Sequence, residues 1–353
     1  MTRSPLADEF DAAFAQTPGF WEPLRGTSLF ITGGTGFFGS WLLESLVHAN
    51  LSRGLGARAT ILTRDEAGFR VRRPRLASAP GLTVVSGDVR DFPFPPGAFT
   101  HVIHAATEAS VRLNREQPAL MRDVIVRGTS RALEFAQRSG AKRFLLASSG
   151  AVYGRQRPGV THVAEEDPGA ALPLETPSAY AEGKREAERL CVAAADRGLG
   201  VTIARGFAFV GAGLPLDGDF AIGNFIQDAL NGRAIDIRGD GTPCRSSLYG
   251  SDLAAWLWAI LLKGQPGRAY NVGSERRVSV AELASIVTGV LDPKLAVHIA
   301  GKPAPGMPPE QYVPDTRRAR TELGLRETVG LEEAIRRTAA WARSEISSAQ
   351  ANP

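Results

Sequence analysis

The stretch Ser28-Leu-Phe-Ile-Thr-Gly-Gly-Thr-Gly-Phe-Phe-Gly-Ser40 decides how this chain is read. Leu29, Phe30 and Ile31 form a short apolar run, the kind that makes a fully buried strand of a parallel sheet. Gly33, Gly36 and Gly39 follow at intervals of three, and Trp41-Leu-Leu-Glu-Ser-Leu-Val then repeats apolar residues at helical spacing. A strand, a glycine-rich turn and a helix together make a phosphate cradle. The glycines let the backbone turn tightly and approach a ligand, and the helix offers free N–H groups and the positive end of its dipole to an anion. The flanking strand and helix separate such a motif from a chance run of glycines. Here Gly33, Gly36 and Gly39 are expected to line a pyrophosphate, with Phe37 and Phe38 giving backbone N–H groups.

Working outward, Ala59–Thr63, Leu82–Val85, His101–His104, Arg143–Ala147 and Val201–Ala204 read as further strands, and Ala119–Gln137 and Tyr180–Asp196 as helices. This alternation specifies an α/β fold, a Rossmann-type doubly wound parallel sheet covered on both faces. Residues 1–27 read as an N-terminal arm packed by Phe10, Phe14, Phe20 and Trp21, and residues 28–205 as the dinucleotide-binding domain. After Arg205 glycine and proline become denser and the alternation breaks, so 206–353 reads mainly as a smaller substrate-binding lobe, with some exchange of chain between the two lobes. Helices are expected there at Phe220–Asn231, Asp252–Lys263, Val278–Leu291 and Leu331–Ser347, with Ser279 and Glu282 forming a capping box.

With 353 residues, 43% apolar and 22% charged, the chain has ordinary globular composition and can bury a sizeable core. A net charge of +4 is small for this length. The densest basic run, Arg70-Val-Arg-Arg-Pro-Arg75, lacks interleaved aromatics and reads as a solvated surface loop, with no nucleic-acid partner. Cys191 and Cys244 form no metal-ligand pattern, so no metal is expected and a reducing compartment is the default. The N-terminus carries acids where a signal peptide needs an apolar core, and the run Leu253–Leu262 is too short to span a bilayer. A cytoplasmic protein with no membrane partner is the expectation.

The chemistry sits at strand ends. Thr63-Arg64-Asp65 closes the second strand, where an acid would bind a ribose 2′-hydroxyl and an Arg a 2′-phosphate. The expected cofactor is NAD or NADP, and Arg64 leans the reading toward NADP. Asp88 suits either an adenine contact or a helix N-cap. Ser148-Ser-Gly-Ala-Val-Tyr-Gly154 follows the fifth strand, and Ser178-Ala-Tyr-Ala-Glu-Gly-Lys184 opens a helix. Tyr180 and Lys184, four apart, share one helix face. A lysine ammonium beside a phenol favours the phenolate, and such a tyrosine can move the proton of a substrate hydroxyl while hydride passes to a nicotinamide. A serine at the strand end can hydrogen-bond the same oxygen.

Thr32-Gly-Gly-Thr-Gly-Phe-Phe-Gly39, Asp88, His104-Ala-Ala106, Ser149, Tyr180 and Lys184 together resemble the extended short-chain dehydrogenase/reductases, above all the nucleotide-sugar epimerases, dehydratases and reductases. The resemblance spans about residues 27 to 343 and continues in Asn224-Phe-Ile, Gly239–Arg245, Asp252-Leu, Tyr270–Ser274 and Asp315–Leu325. It implies that Ser149, Tyr180 and Lys184 are catalytic. It implies cofactor contacts from the glycine turn, Arg64, Asp88, Val89, Ala105 and Ala106, and from Tyr180, Lys184 and Phe207. Substrate contacts would come from Ser149, Glu108, Asn224 and Arg245, the last two on the diphosphate and nucleotide of a nucleotide-diphosphate sugar. It also implies a homodimer built on helices 119–137 and 180–196, whose apolar residues include Leu133, Phe135, Leu190 and Val192.

The departures from the family pattern are informative. Dehydratases carry an Asp-Glu pair where this chain has Gly150 and Ala151, and UDP-glucuronate decarboxylases have Glu where Ala151 stands. The family's Asn after the sixth strand is Ala208, and a second Asn is Ile125. The expectation is hydride-transfer chemistry at sugar C4, most of all a 4-epimerase. The alternative is an NADPH-dependent 4-keto-sugar reductase, with a dehydratase or a non-catalytic cofactor-binding regulator further behind.

Overall fold

The computed structural model describes residues 4–15, 19–107, 110–157, 159–169, 178–306 and 308–351. Seven strands, β1 (Ser28–Thr32), β2 (Arg58–Thr63), β3 (Leu82–Ser86), β4 (His101–His104), β5 (Arg143–Ser149), β6 (Gly200–Gly206) and β7 (Arg268–Val272), form one parallel sheet in the order β7-β6-β5-β4-β1-β2-β3. This is the doubly wound Rossmann order, with its switch point at β1, between β4 and β2. The pleat explains why β1 is apolar throughout: Leu29 and Ile31 enter the core on one face, while Phe30 enters a separate core on the other.

The helices that bear on the site are α1 (Ala7–Phe14), α2 (Phe37–Arg53), α3 (Glu66–Arg72), α4 (Pro118–Arg138), α5 (Ala179–Ala195), α6 (Gly250–Lys263) and α7 (Leu331–Ala351). Helices α4 and α5 bury Phe135, Ala187 and Cys191 with Phe30, and α2 and α6 bury Leu42, Leu46 and Leu253 with Leu29 and Ile31. Every residue of α6 from Gly250 to Leu261 is buried, so its long apolar run marks an interior helix. Among the described residues no helix is long and apolar enough to cross a membrane. The N-terminal arm packs through Phe10, Phe14, Phe20 and Trp21, all buried, and the Trp21 and Trp258 rings lie 5.6 Å apart.

Three local expectations are corrected. The Arg70–Arg75 run is helical and not a loop, although Arg70, Val71 and Arg72 stay exposed to solvent as expected. The Asp65 carboxylate accepts the Gly68 N–H at 2.8 Å and starts α3, Pro74 opens a further short helix, and Phe69 and Leu76 anchor both to the core. Arg75 is thereby carried inward to pair with Glu44. Val278 belongs to a short strand and not to the helix, which starts at Val280 because Ser279 caps it in an extended conformation. Finally, Arg268–Val272, which the sequence reading did not assign as a strand, extends the sheet as β7, paired with β6. The chain thus returns across the division drawn at residue 205.

Outside the central sheet lies a three-stranded sheet, in which Cys244–Arg245 lies between Val278–Ser279 and Gln311–Tyr312. Both cysteines are free and buried.

Candidate active site

Beyond the C-terminal end of β1 the chain makes a turn that only glycines allow. Gly33 has φ of +72°, and a Cβ there would lie 2.5 Å from the Ala105 carbonyl carbon. At Gly39 a Cβ would come within 2.3 Å of the Gly33 carbonyl oxygen, so α2 rests directly on the turn. Gly36 is different: a Cβ there would meet only the Gly33 oxygen, at 3.5 Å, and it faces open space. That space is a cavity of about 450 Å³, lined by Gly33, Gly36, Thr63, Arg64, Asp88, Val89, Ala105, Ala106 and Thr107. Its size is that of a ligand site. Phe37 and Phe38 stand in the first turn of α2, where N–H groups have no intrahelical acceptor, and their rings turn away to pack on Trp41 and Phe209. A bare glycine facing the cavity and a helix N-terminus aimed at it fit a dinucleotide pyrophosphate.

At the far end of this cavity Asp65 lines the wall beside Arg64 with its carboxylate already engaged on both oxygens. Its carboxylate caps α3 and pairs with Arg72 at 3.0 Å, which together hold it below the usual carboxylate range. Arg72 lines the same end as Arg64, a role the sequence reading did not give it. Asp88 is gripped by Arg90, with both carboxylate oxygens accepting guanidinium N–H groups at 2.9 Å, and Arg90 also reaches Asp123. The ion pair depresses the Asp88 pKa.

Ser149 ends β5, and its Oγ accepts the Ala151 N–H at 3.1 Å. Tyr180 and Lys184 project from the first turns of α5, whose N-cap is Ser178. The Lys184 ammonium donates to the Ala147 carbonyl at 2.7 Å and to Oγ1 of Thr107, a residue of the dinucleotide cavity wall, at 2.9 Å. Its Nζ is 5.7 Å from the Tyr180 ring centroid. Burial lowers the Lys184 pKa to about 8, against a smaller opposing pull from Glu188. The expected lowering of the Tyr180 pKa by Lys184 is therefore corrected. The ammonium is spent on Ala147 and Thr107, burial raises the phenol, and the group that lowers it is the Ser149 hydroxyl.

Behind this pair lies a network the sequence did not reveal. Glu188, one turn beyond Lys184, accepts from Ser148 Oγ at 2.6 Å and from Arg205 Nη2 at 2.7 Å. Arg205 donates to the Tyr153 hydroxyl at 2.9 Å, which donates to Asn271 Oδ1 at 2.7 Å. One chain of hydrogen bonds thus ties β5, α5, β6 and β7 together behind the site.

The remaining expected residues fall in different places. Phe207 does not line the dinucleotide cavity; its ring packs between Tyr153 and Tyr312 and lies against Gly150, where a Cβ would meet it at 2.8 Å. Arg245 pairs with Glu310 at 2.8 Å and lies over the Tyr312 ring. Asn224 donates its amide to the Gly218 carbonyl at 3.2 Å. Glu108 lies outside the described residues. Tyr312, unmarked in the sequence, brings its hydroxyl to 3.5 Å from Ser149 Oγ.

Residues 29–273 match the profile of the NAD dependent epimerase/dehydratase family. The chain belongs to that family. Among curated members, UDP-glucuronic acid decarboxylase 1 of Arabidopsis thaliana is 30% identical over 323 residues, covering 90% of this chain and 70% of the relative. UDP-glucuronic acid decarboxylase 1 of Danio rerio is 29% identical over 320 residues, covering 90% and 73%. Among solved structures, the dTDP-glucose 4,6-dehydratase DesIV of Streptomyces venezuelae, with NAD bound, superposes with a TM-score of 0.76 at 25% identity, covering 91% of this chain and 98% of its own. A UDP-N-acetylglucosamine 4-epimerase from Methanobrevibacter ruminantium reaches a TM-score of 0.78 at 22% identity, covering 91% and 99%, and shares the fold. Like the other epimerase/dehydratase family members, this chain is an enzyme of the extended short-chain dehydrogenase/reductase type.

Proposed function

We propose that this chain is a nucleotide-sugar 4-epimerase. A nucleoside-diphosphate sugar would lie with its diphosphate toward Arg245, whose planar guanidinium can bind phosphate oxygens in pairs, and its sugar toward Ser149 and Tyr180. The bound dinucleotide would supply the hydride acceptor and donor. The chain supplies the proton chemistry: Tyr180 takes and returns the proton of the C4 hydroxyl, and Ser149 hydrogen-bonds the same oxygen. Lys184, at the wall between the two ligands, would hold a ribose hydroxyl and add positive charge.

The observation that carries this reading over a dehydratase or decarboxylase is the packing at Gly150. Neither 150 nor 151 carries an acid, and the Phe207 ring occupies the space that any side chain at 150 would need. Elimination of water needs an acid and a base that this loop does not supply, and the loop also lacks the Glu that the resemblance associates with decarboxylases.

Arg64 and Arg72, together at the adenosine end of the cavity, favour a second reading: NADP as cofactor and net reduction of a 4-keto sugar. A cytoplasmic homodimer through α4 and α5 belongs to the proposal. Val192 lies exposed on α5, whereas Leu133 and Phe135 are turned into the core.

The test is incubation of the purified protein with UDP- and dTDP-hexoses and UDP-glucuronate, followed by NMR. An epimer mixture formed without added cofactor supports the epimerase. Turnover only with stoichiometric NADPH on a 4-keto sugar selects the reductase. A 4-keto-6-deoxy product, or carbon dioxide from UDP-glucuronate, overturns the reading.

A further inference from the structure

A serine hydroxyl has one proton to give and two lone pairs to receive. At Ser149 one lone pair already accepts the Ala151 N–H, at 3.1 Å. The Tyr312 hydroxyl stands 3.5 Å away, a distance long for an O–H···O bond but within the slack that closes when a substrate fills a site. We propose that Tyr312 is a positioning residue that donates to Ser149 Oγ and so directs the Ser149 proton onto the oxygen of Tyr180.

The packing prepares Tyr312 for this task. The strand Gln311–Tyr312 pairs with Cys244–Arg245, the ring lies 4.8 Å from Phe207, and the Arg245 guanidinium covers it at 5.9 Å. Burial raises the Tyr312 pKa, which keeps the phenol neutral and therefore a donor. With the Ala151 N–H donating and the Tyr312 hydroxyl donating as proposed, both acceptor positions of Ser149 would be filled. Its proton then has one direction left, toward Tyr180, where it stabilises the phenolate that abstracts a substrate proton. Without Tyr312 the Ser149 hydroxyl can rotate and spend part of its time elsewhere.

Several charged and titratable groups share the neighbourhood. Lys184 faces Tyr180 from α5 and Glu188 faces Lys184 from the next turn. Arg245 and Tyr153 face Tyr312 from its neighbouring strand and from the turn after β5. His104, buried and neutral beside Lys184, lies on β4. Tyr312 also couples directly to Tyr180, Arg245 and Tyr153, so the Ser149→Ala background is what separates the bond to Ser149 from those direct effects.

The inference rests on Ser149 and Tyr180 being the working pair, and its test needs no substrate. The chain has five tyrosines, few enough for each 13Cζ resonance to be assigned by Tyr→Phe variants. Tyr312→Phe should lower the phenolate-to-phenol ratio of Tyr180 at a given pH about three- to tenfold, the span of one neutral hydrogen bond. The same substitution in a Ser149→Ala background should change it little. Where a turnover assay exists, Tyr312→Phe should reduce kcat with KM unchanged and recover at higher pH. An unchanged Tyr180 titration in Tyr312→Phe, or an equal shift when Ser149 is already alanine, overturns the proposal. If Tyr180→Phe kept its turnover, the functional reading would fail instead, and the titration would still decide whether Tyr312 orients Ser149.

Discussion

The Lys184 ammonium is hydrogen-bonded to the carbonyl oxygen of Ala147 at 2.7 Å, clipping the start of α5 to the end of β5. The same ammonium donates to Thr107, which lines the dinucleotide cavity, while the phenol of Tyr180 is raised by burial and lowered by Ser149. The same burial makes Lys184 a group whose charge the fold disfavours.

Stability should therefore depend on the pH around Lys184. Its folded pKa of about 8 lies below the unfolded value of 10.5, so between these limits the unfolded chain binds more protons and unfolding becomes harder as pH rises. Wild type should gain up to about 3 kcal/mol across pH 8 to 10.5 relative to Lys184→Met, which lacks the group. Urea midpoints at several pH values check this; parallel curves for the two proteins would contradict it.

Gly36 and Gly39 should respond differently to substitution. Gly36→Val adds atoms only to the cavity, so the protein should fold and fail to bind the dinucleotide. Gly39→Ala drives a methyl into the backbone of Gly33 and Gly34 and should cost about 1–3 kcal/mol or more of stability. Thermal melts and cofactor titration separate the two, and cofactor retained by a folded Gly36→Val protein would refute the placement of the pyrophosphate.

Arg64→Ala should weaken NADP far more than NAD. One charge-assisted contact to a 2′-phosphate is worth about 1.5–3 kcal/mol, roughly tenfold or more in affinity. Arg72→Ala should show the same preference, with a smaller loss, because Arg72 must leave Asp65 to reach the phosphate. Equal losses for both cofactors by calorimetry would place the two arginines off the phosphate.

Gly150→Ala should be destabilised by about 1–3 kcal/mol, because its methyl meets the Phe207 ring. Phe207→Leu should relieve most of that penalty in the double variant, a coupling that a double-mutant cycle measures directly. Additive effects would mean that the two residues do not share this space.

Tyr180→Phe keeps the ring packing and removes the proton-transfer group. It should fold, bind cofactor and lose about a hundred- to ten-thousand-fold in kcat. Ser149→Ala should cost less, since the phenol remains. Wild-type turnover in Tyr180→Phe would remove the active-site assignment altogether.

Strands β1 to β6 were legible because each is a short apolar run between turn signals, and nothing distant is needed to recognise that. The capping box at Ser279 and Glu282 was legible for the same reason, since its hydrogen bonds join residues three apart. Strand β7 was hidden because Arg-Ala-Tyr-Asn-Val is only weakly apolar and is buried by what packs on it. The Arg70–Arg75 run read as a loop because composition does not show that Asp65 caps a helix there, nor that Arg75 alone turns inward to meet Glu44 on α2.

By itself the sequence determined the doubly wound class, the glycine turn, and a tyrosine and lysine on one helix face, because strand pleat, helix pitch and glycine's open φ are local properties. The tertiary structure alone decided where the Lys184 ammonium points, that Phe207 fills the space beside Gly150, and that Tyr312 meets Ser149 across 163 residues of chain. The physical reason is that burial and hydrogen bonding between distant segments depend on which surfaces the whole fold brings together, and no local pattern of residues encodes that meeting.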